Sequence, residues 1–338
     1  MTGSELARAL RTVRYLRPRQ VVGQLRHRLQ GFAPPVAREG PPPRLGLVGA
    51  PRPFLGSPAH AYTDGWRRFR LLNREVVFPE RPDWDHLGEG PLWAYHLHQF
   101  DYARRPGLSP EARRALVLDW IARHPDGLGW DAGPISLRTQ SWIKLLLTPG
   151  ALPTDPAVSA RIASSLATQL DTLAAKLETH LLANHYLSNL VALVLGGLVF
   201  SGGEADRWLG FERALQSELA EQVLPDGAHV ERSPMYHSLV LESLCDLVNV
   251  AGAAGARAPE ALVRTLRDTI ARMLGALAVV THPDGEIALF GDSAFGIAQP
   301  PLRSSRTRRR SASQRRSRRG RACSTPRATS GSRRVPSR

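Results

Sequence analysis

DPAVSARIASSLATQLDTLAAKLETHLL (155–182) is the stretch whose spacing decides the fold class. Val158, Ile162, Leu166, Leu170, Leu173 and Leu177 recur three or four residues apart, which places them on one face of an α-helix. Asp155 occupies the N-cap position and Pro156 the first helical position, where a missing N–H has no cost. The spacing predicts one long helix from Pro156 to about Leu182. Ser109-Pro110-Glu111 opens another in the same way, ahead of ARRALVLDWIARH (112–124). Residues 185–200, 204–223, 234–252 and 259–280 continue the pattern, punctuated by Gly202-Gly203, Pro225-Asp226-Gly227 and the stretch from Gly252 to Pro259. Connections this short make successive helices antiparallel. An all-α chain of helical hairpins is therefore expected from about 109 to 280, with Leu187, Leu190, Val194, Leu241 and Leu244 in its core. A bundle, a solenoid and a closed α/α toroid all satisfy that pattern. Residues 31–90, rich in Pro, Gly and Arg, read as a loop-rich lead-in, and GEIALFGDSAFGIA (285–298) alternates as a strand or extended linker would.

Composition separates a body from a tail. The 338 residues carry 45 basic and 30 acidic side chains, a formal charge of +15. Residues 301–338 hold 14 Arg, no Lys and no acid, so residues 1–300 are nearly balanced, with 31 basic residues against 30 acidic ones. The tail is built mainly from Arg, Ser, Pro, Gly, Ala and Thr, has too little apolar surface to fold, and is expected to be disordered. It reads either as an arginine-rich arm for nucleic acid or anionic surfaces, or as the product of a reading-frame shift; we favour the second. Cys245 and Cys323 support neither a disulfide framework nor a zinc site. The N-terminus shows no apolar signal core, and the most apolar run, Leu190 to Phe200, is shorter than the ~20 residues that span a bilayer. The expectation is a soluble chain without a membrane span, in a bacterial periplasm or cytoplasm.

Two segments carry the candidate chemistry. LLANHYLSNLVALVLGGLVF (181–200) contains Asn184 and His185, and DGAHVERSPMYHSLVLESLCDLVNV (226–250) contains Tyr236. An amide, an imidazole and a phenol among otherwise apolar helices are the parts needed to abstract a proton next to a carboxylate. Asn184 donates hydrogen bonds without titrating, and His185 can donate to the same group or act as a base when neutral. Ser233-Pro234 reads as N-cap and first helical residue, which puts Tyr236 in the first turn. The positive end of that helix and Arg232 beside it are both expected to favour tyrosinate. Tyr95, His96, His98, Asp101 and Tyr102 form an aromatic-rich cluster suited to a sugar groove, or to packing of the first helix pair. Gln140, Ser141 and Trp142, and Arg232 and His237 around the tyrosine, complete the candidate substrate contacts. At least one of His229, Glu231, Arg232 and His237 is expected to orient Tyr236. None of the histidines has metal-ligand spacing.

These two segments resemble the N-terminal domain of the heparinase II/III-like polysaccharide lyases. The likeness extends to RTVRYLRPRQVVGQLRHRL (11–29), LWAYHLHQFDYARR (92–105), GWDAGPISLRTQSWIKLLL (129–147) and THPDGEIALFGDSAFGIA (281–298), and stops at Pro300. Relatives often carry an Asn before the Trp at 142, where this chain has Ser141. The resemblance implies an incomplete (α/α) toroid over 91–282, preceded by N-terminal helices and lead-in over 1–90. Residues 283–300 then form a linker toward a β-sandwich that is missing here. It implies β-elimination on an acidic, uronate-containing polysaccharide, with no cofactor. The Asn matching Asn184 neutralises the uronate carboxylate, the Tyr matching Tyr236 acts as base or acid, and a further histidine comes from the β-sandwich. The expectation is a lyase of this kind, which the missing half could leave inactive. A non-catalytic carbohydrate-binding or assembly domain is the alternative, and nucleic-acid binding through the tail ranks third.

Overall fold

The computed structural model describes residues 40–301 and Pro35, apart from Pro58, Ala59, Thr154, His180 and Leu182. The expected N-terminal helices and the expected disordered tail lie outside the described residues.

Helices begin where the caps predict. α1 (Pro91–Gln99) follows Gly90, and α2 (Pro110–Arg123) is capped by Ser109 Oγ, which accepts the Ala112 N–H at 3.1 Å. α3 spans Ala132–Leu147. α4 (Pro156–Ala175) is capped by Asp155, whose carboxylate accepts the Val158 N–H at 2.8 Å. α5 (Ala183–Val199) and α6 (Gly203–Leu209) follow, then α7 (Glu212–Gln222). α8 (Pro234–Ala254) is capped by Ser233, and α9 (Glu260–Val279) closes the series.

Two helix boundaries differ from expectation. α4 stops at Ala175 and not near Leu182, because the Glu178 N–H turns to the Asn189 Oδ1 at 2.9 Å instead of continuing the helical ladder. The helix expected over 204–223 is two, α6 and α7, which meet at Gly210.

The packing order is that of an incomplete (α/α) toroid. α1, α3, α5 and α8 lie side by side as an inner row, each packed on the next. α2 and α4 back the first half of that row, and α7 and α9 the second. α5 runs through the interior: Leu187, Leu190 and Val194 are buried on it, and Leu241 and Leu244 are buried on α8 facing the same core. Glycine allows the closest approaches. A Cβ at Gly196 would collide with Leu170 of α4, and one at Gly197 would stand 2.5 Å from the Leu209 backbone nitrogen of α6.

The lead-in contains a small sheet that its Pro, Gly and Arg content hides. β2 (Tyr62–Thr63), β3 (Arg68–Leu71) and β4 (Arg74–Val77) form an antiparallel meander. Leu72 and Asn73 turn the β3–β4 hairpin with φ of 52° and 61°, the left-handed pair that matches strand twist. β1 (Arg44–Leu45) pairs with β5 (Phe200–Ser201), which fastens the lead-in to the end of α5. GEIALFGDSAFGIA forms no strand; a single bridge joins Thr281 to Ile287, and the rest runs as bends across the start of α8.

Two polar clusters fix the inner row. Lys144 of α3 pairs with Glu242 at 3.3 Å and with Asp246, both on α8, while Arg104 pairs with Asp101 at 3.0 Å. Arg138 is fully buried, lies 3.9 Å over the Trp120 ring, and donates to Gln169 Oε1 and to the carbonyls of His98 and Gly129. Among the described residues no carboxylate pairs with it. The segment Pro234–Arg257 is long and apolar enough to cross a bilayer by length and composition. Here it packs between α5 and α9 and holds the Lys144 ion pairs, as a core helix does.

Candidate functional site

Hairpin topology gives the inner helices a common direction, so the N-terminal ends of α3, α5 and α8 gather at one end of the toroid. Their aligned dipoles favour negative charge at that end, and first-turn N–H groups there already donate: Asn184 to Glu231, Met235 to Ser293 and Tyr236 to Ser233. The candidate residues stand on this rim. Asn184 and His185 lie in the first turn of α5, and Tyr236 lies in the first turn of α8.

Glu231, in the turn before α8, holds Asn184 with both carboxylate oxygens. Oε1 accepts the Asn184 backbone N–H at 3.1 Å, and Oε2 accepts from Nδ2 at 2.8 Å. Donation to a carboxylate settles which end of the amide is nitrogen, and Nδ2 has a second hydrogen for another acceptor. Asn184 lies inside α5 and is not its cap.

His185 is about half exposed, with Nδ1 3.6 Å from Glu178 Oε1. The Glu178 carboxylate at that distance pushes the imidazole above its ordinary range, against the effect of burial and with help from Glu231. Glu178 is held in turn by Asn189, which accepts its N–H through Oδ1 and donates from Nδ2 to Oε2 at 3.0 Å. Asn189 Nδ2 also donates to Ser136 Oγ of α3 at 2.8 Å.

Tyr236 donates from its hydroxyl to Asp292 Oδ2 at 3.3 Å. Burial, then the Asp292 and Glu231 carboxylates, push the phenol above its ordinary range. The expected bias toward tyrosinate is therefore reversed. Burial first, and then the two acids, set that direction; Arg232 is exposed on the turn with φ 53°. Of the four neighbours expected to orient the ring, none hydrogen-bonds to its hydroxyl, and Glu231 acts on it only through its charge. His237 donates from Nε2 to the Met273 carbonyl of α9 at 2.9 Å, and its Nδ1 accepts the His229 N–H, so it fastens α8 to α9. His229 pairs with Gln222.

The other candidates divide by burial. Tyr95 is half-buried on the rim and donates to Asp131 Oδ2 at 2.8 Å; burial and Asp131 hold it well above the ordinary range for a phenol. His96 is partly buried edge-on to His60, 5.3 Å between ring centres, and is pushed down to about 4, chiefly by burial. Gln140 is nearly buried and links three inner helices, donating to Ser188 Oγ and accepting from Ser243 Oγ. His98 is wholly buried, accepting from Trp120 Nε1 and lying against His124, and Trp142 packs edge-on to Phe100 and Trp120. His98, Trp142 and His237 thus serve the interior, while Asn184, His185, Tyr236, Tyr95 and Arg232 reach the rim. Asp131, Glu178 and Asp292 complete the rim, with Asn189 buried behind Glu178, and none of the four was singled out from sequence. Asp131 could have been, since it directly precedes α3; Glu178 and Asp292 acquire partners only through folding. Among the described residues no group of three or more His, Cys, Asp or Glu side chains could hold a metal ion.

The solved structures with similarity include a crystal structure of heparinase III, at 18% identity and TM-score 0.48 over 60% of this chain and 33% of that one. They also include a mutant of the heparan sulfate lyase HepC from Pedobacter heparinus, at 20% identity and TM-score 0.45 over 68% of this chain and 38% of that one. The chain thus spans about a third of the length of these structures. No curated protein matches. The heparinase II/III N-terminus family matches residues 128–309. That match leaves out the stretches at 11–29 and 92–105 and runs past Pro300 into the arginine-rich segment. Because it takes in more than half of the chain, including Asn184, His185 and Tyr236, the protein belongs to the heparinase II/III N-terminus family.

Proposed function

We propose that the rim formed by Asn184, His185 and Tyr236 is one wall of a polysaccharide lyase site that acts on a uronate-containing chain by β-elimination. Supporting this reading is the convergence of the three side chains at the N-terminal ends of two adjacent inner helices, with Glu231 bonded to Asn184 and also acting on Tyr236. A uronate C5 proton becomes acidic only when the adjacent carboxylate is neutralised and the enolate-like intermediate is stabilised. The second Nδ2 hydrogen of Asn184 is suited to that carboxylate, because its donor is already fixed by Glu231 and needs no reorganisation. Tyr236, protonated at rest, is suited to giving a proton to the departing O4. The C5 proton then goes to a base other than Tyr236, whose hydroxyl is committed to the leaving group.

The same observation favours one second reading. A phenol pushed up by burial and by Asp292 and Glu231 is a poor base, as a non-catalytic carbohydrate-binding domain would not need one. Elimination creates a C4–C5 double bond conjugated to the carboxylate, so a rise in ultraviolet absorbance during incubation with uronate polysaccharides separates the two readings.

A further inference from the structure

The least exposed part of the rim is the support behind His185, and elimination chemistry as described makes no use of it. Four groups form a continuous chain from surface to core: His185, Glu178, Asn189 and Ser136. Asn189 and Ser136 are completely buried. Ser136 Oγ donates to the Ala132 carbonyl, so its lone pairs face Asn189. Asn189 uses its amide oxygen on the Glu178 N–H and its amide nitrogen on both Ser136 and Glu178. Glu178 is thereby fixed in position and left with Oε1 facing the His185 ring.

A buried amide that donates to one carboxylate oxygen dictates the character of the other. Both Glu178 oxygens act as acceptors, so the imidazole nitrogen facing Oε1 has to carry a proton to make a favourable contact. The side chain as a whole is about half exposed. Its surroundings are acidic: Glu178 and Glu231 act on it directly, and Asp131 and Tyr95 lie on the neighbouring α1–α3 side, with Glu178 acting on Tyr95.

Resting on the lyase reading of this rim, we propose that Glu178 is a positioning residue that holds His185 as an imidazolium, so that His185 is a charged anchor for an anionic substituent of the sugar chain, a carboxylate or a sulfate ester. Asn184 and His185 then divide the work. The amide is neutral and meets the carboxylate whose charge builds during reaction, and the imidazolium holds a neighbouring anion through a charge-assisted hydrogen bond. Affinity for acidic chains is accordingly greatest below the His185 pKa and falls as pH rises through it.

The test uses the full chain and two simple probes, sodium glucuronate and inorganic sulfate. Histidine side-chain nuclear magnetic resonance follows each ring through a pH titration, with His185→Gln identifying the His185 signals. Glu178→Gln keeps the shape and can still accept from Asn189, but it presents an NH₂ to His185 and so favours the neutral ring. The proposal expects a His185 pKa above its ordinary value, a fall in Glu178→Gln, and probe-induced shifts of the His185 signals that weaken above that pKa. Probe affinity in Glu178→Gln should drop about tenfold near neutral pH, the difference between a charge-assisted and a neutral hydrogen bond. A His185 pKa that Glu178→Gln leaves unmoved overturns the positioning role. Absence of any probe-induced shift at His185 overturns the anchor. Neither result depends on turnover, so a protein that performs no elimination still decides this question separately.

Discussion

Glu231→Gln tests the rim at the point where geometry makes the strongest demand. In the native protein both Glu231 oxygens accept, one from the Asn184 N–H at 3.1 Å and one from Nδ2 at 2.8 Å. Glutamine has one acceptor and one donor. If its oxygen serves the backbone N–H, its NH₂ faces the Asn184 side chain and turns that amide over, so that Oδ1 meets it and Nδ2 no longer has its fixed direction. A hydrogen bond to a charged partner contributes about 1.5–3 kcal/mol, and this one is partly exposed, so the lower end applies. Losing an orientational preference of about 1.5 kcal/mol reduces the donor-ready population about tenfold, and kcat should fall by that factor because the donor acts on charge developing in the transition state. Stability should fall by about 1–2 kcal/mol, lowering Tm by a few degrees. Absorbance progress curves on a uronate polysaccharide and thermal melts of the same samples measure both. A variant that melts lower yet turns over at the native kcat would refute the role given to the Asn184 amide.

Two further outcomes follow from the interior. Arg138→Met should destabilise the toroid by about 3–5 kcal/mol, since it leaves Gln169 Oε1 and the His98 and Gly129 carbonyls without their buried donor; chemical denaturation reads this directly. Acid should weaken the fold. His96 and His124 are pushed down to about 4 from 6.5 and His98 also well down, so the unfolded chain takes up protons through a range in which the folded chain does not. Their contribution is full above pH 6.5 and is lost as pH falls toward 4, and a Tm that stays flat between pH 7 and 5 would contradict it.

The helical hairpins were legible because local rules carry them. Ser109, Asp155 and Ser233 cap as their positions require, and the three- and four-residue spacing along α4 and α5 matches what is buried. What escaped depends on distant partners. The early end of α4 is set by Asn189, eleven residues beyond Glu178, and periodicity through Leu177 gives no sign of it. The direction in which the Tyr236 phenol is pushed escaped because both of its causes are long-range: burial, and Asp292, which lies 56 residues away and reaches the phenol only when the 281–298 segment crosses α8. His98, Trp142 and His237 looked like sugar contacts by residue type, yet the same rings and donors equally suit an interior, and burial alone separates the two uses.

The central claim is that the rim performs β-elimination with Tyr236 as its proton-transferring group. Tyr236→Phe keeps the ring and its packing and removes only the hydroxyl, so stability should change by at most about 1 kcal/mol. The decisive measurement is ultraviolet absorbance during incubation of the native protein and Tyr236→Phe with a panel of uronate polysaccharides. The account predicts new absorbance with at least one of them for the native protein and none for the variant. Equal absorbance from both proteins would contradict it, as would binding by the native protein with no new absorbance at all.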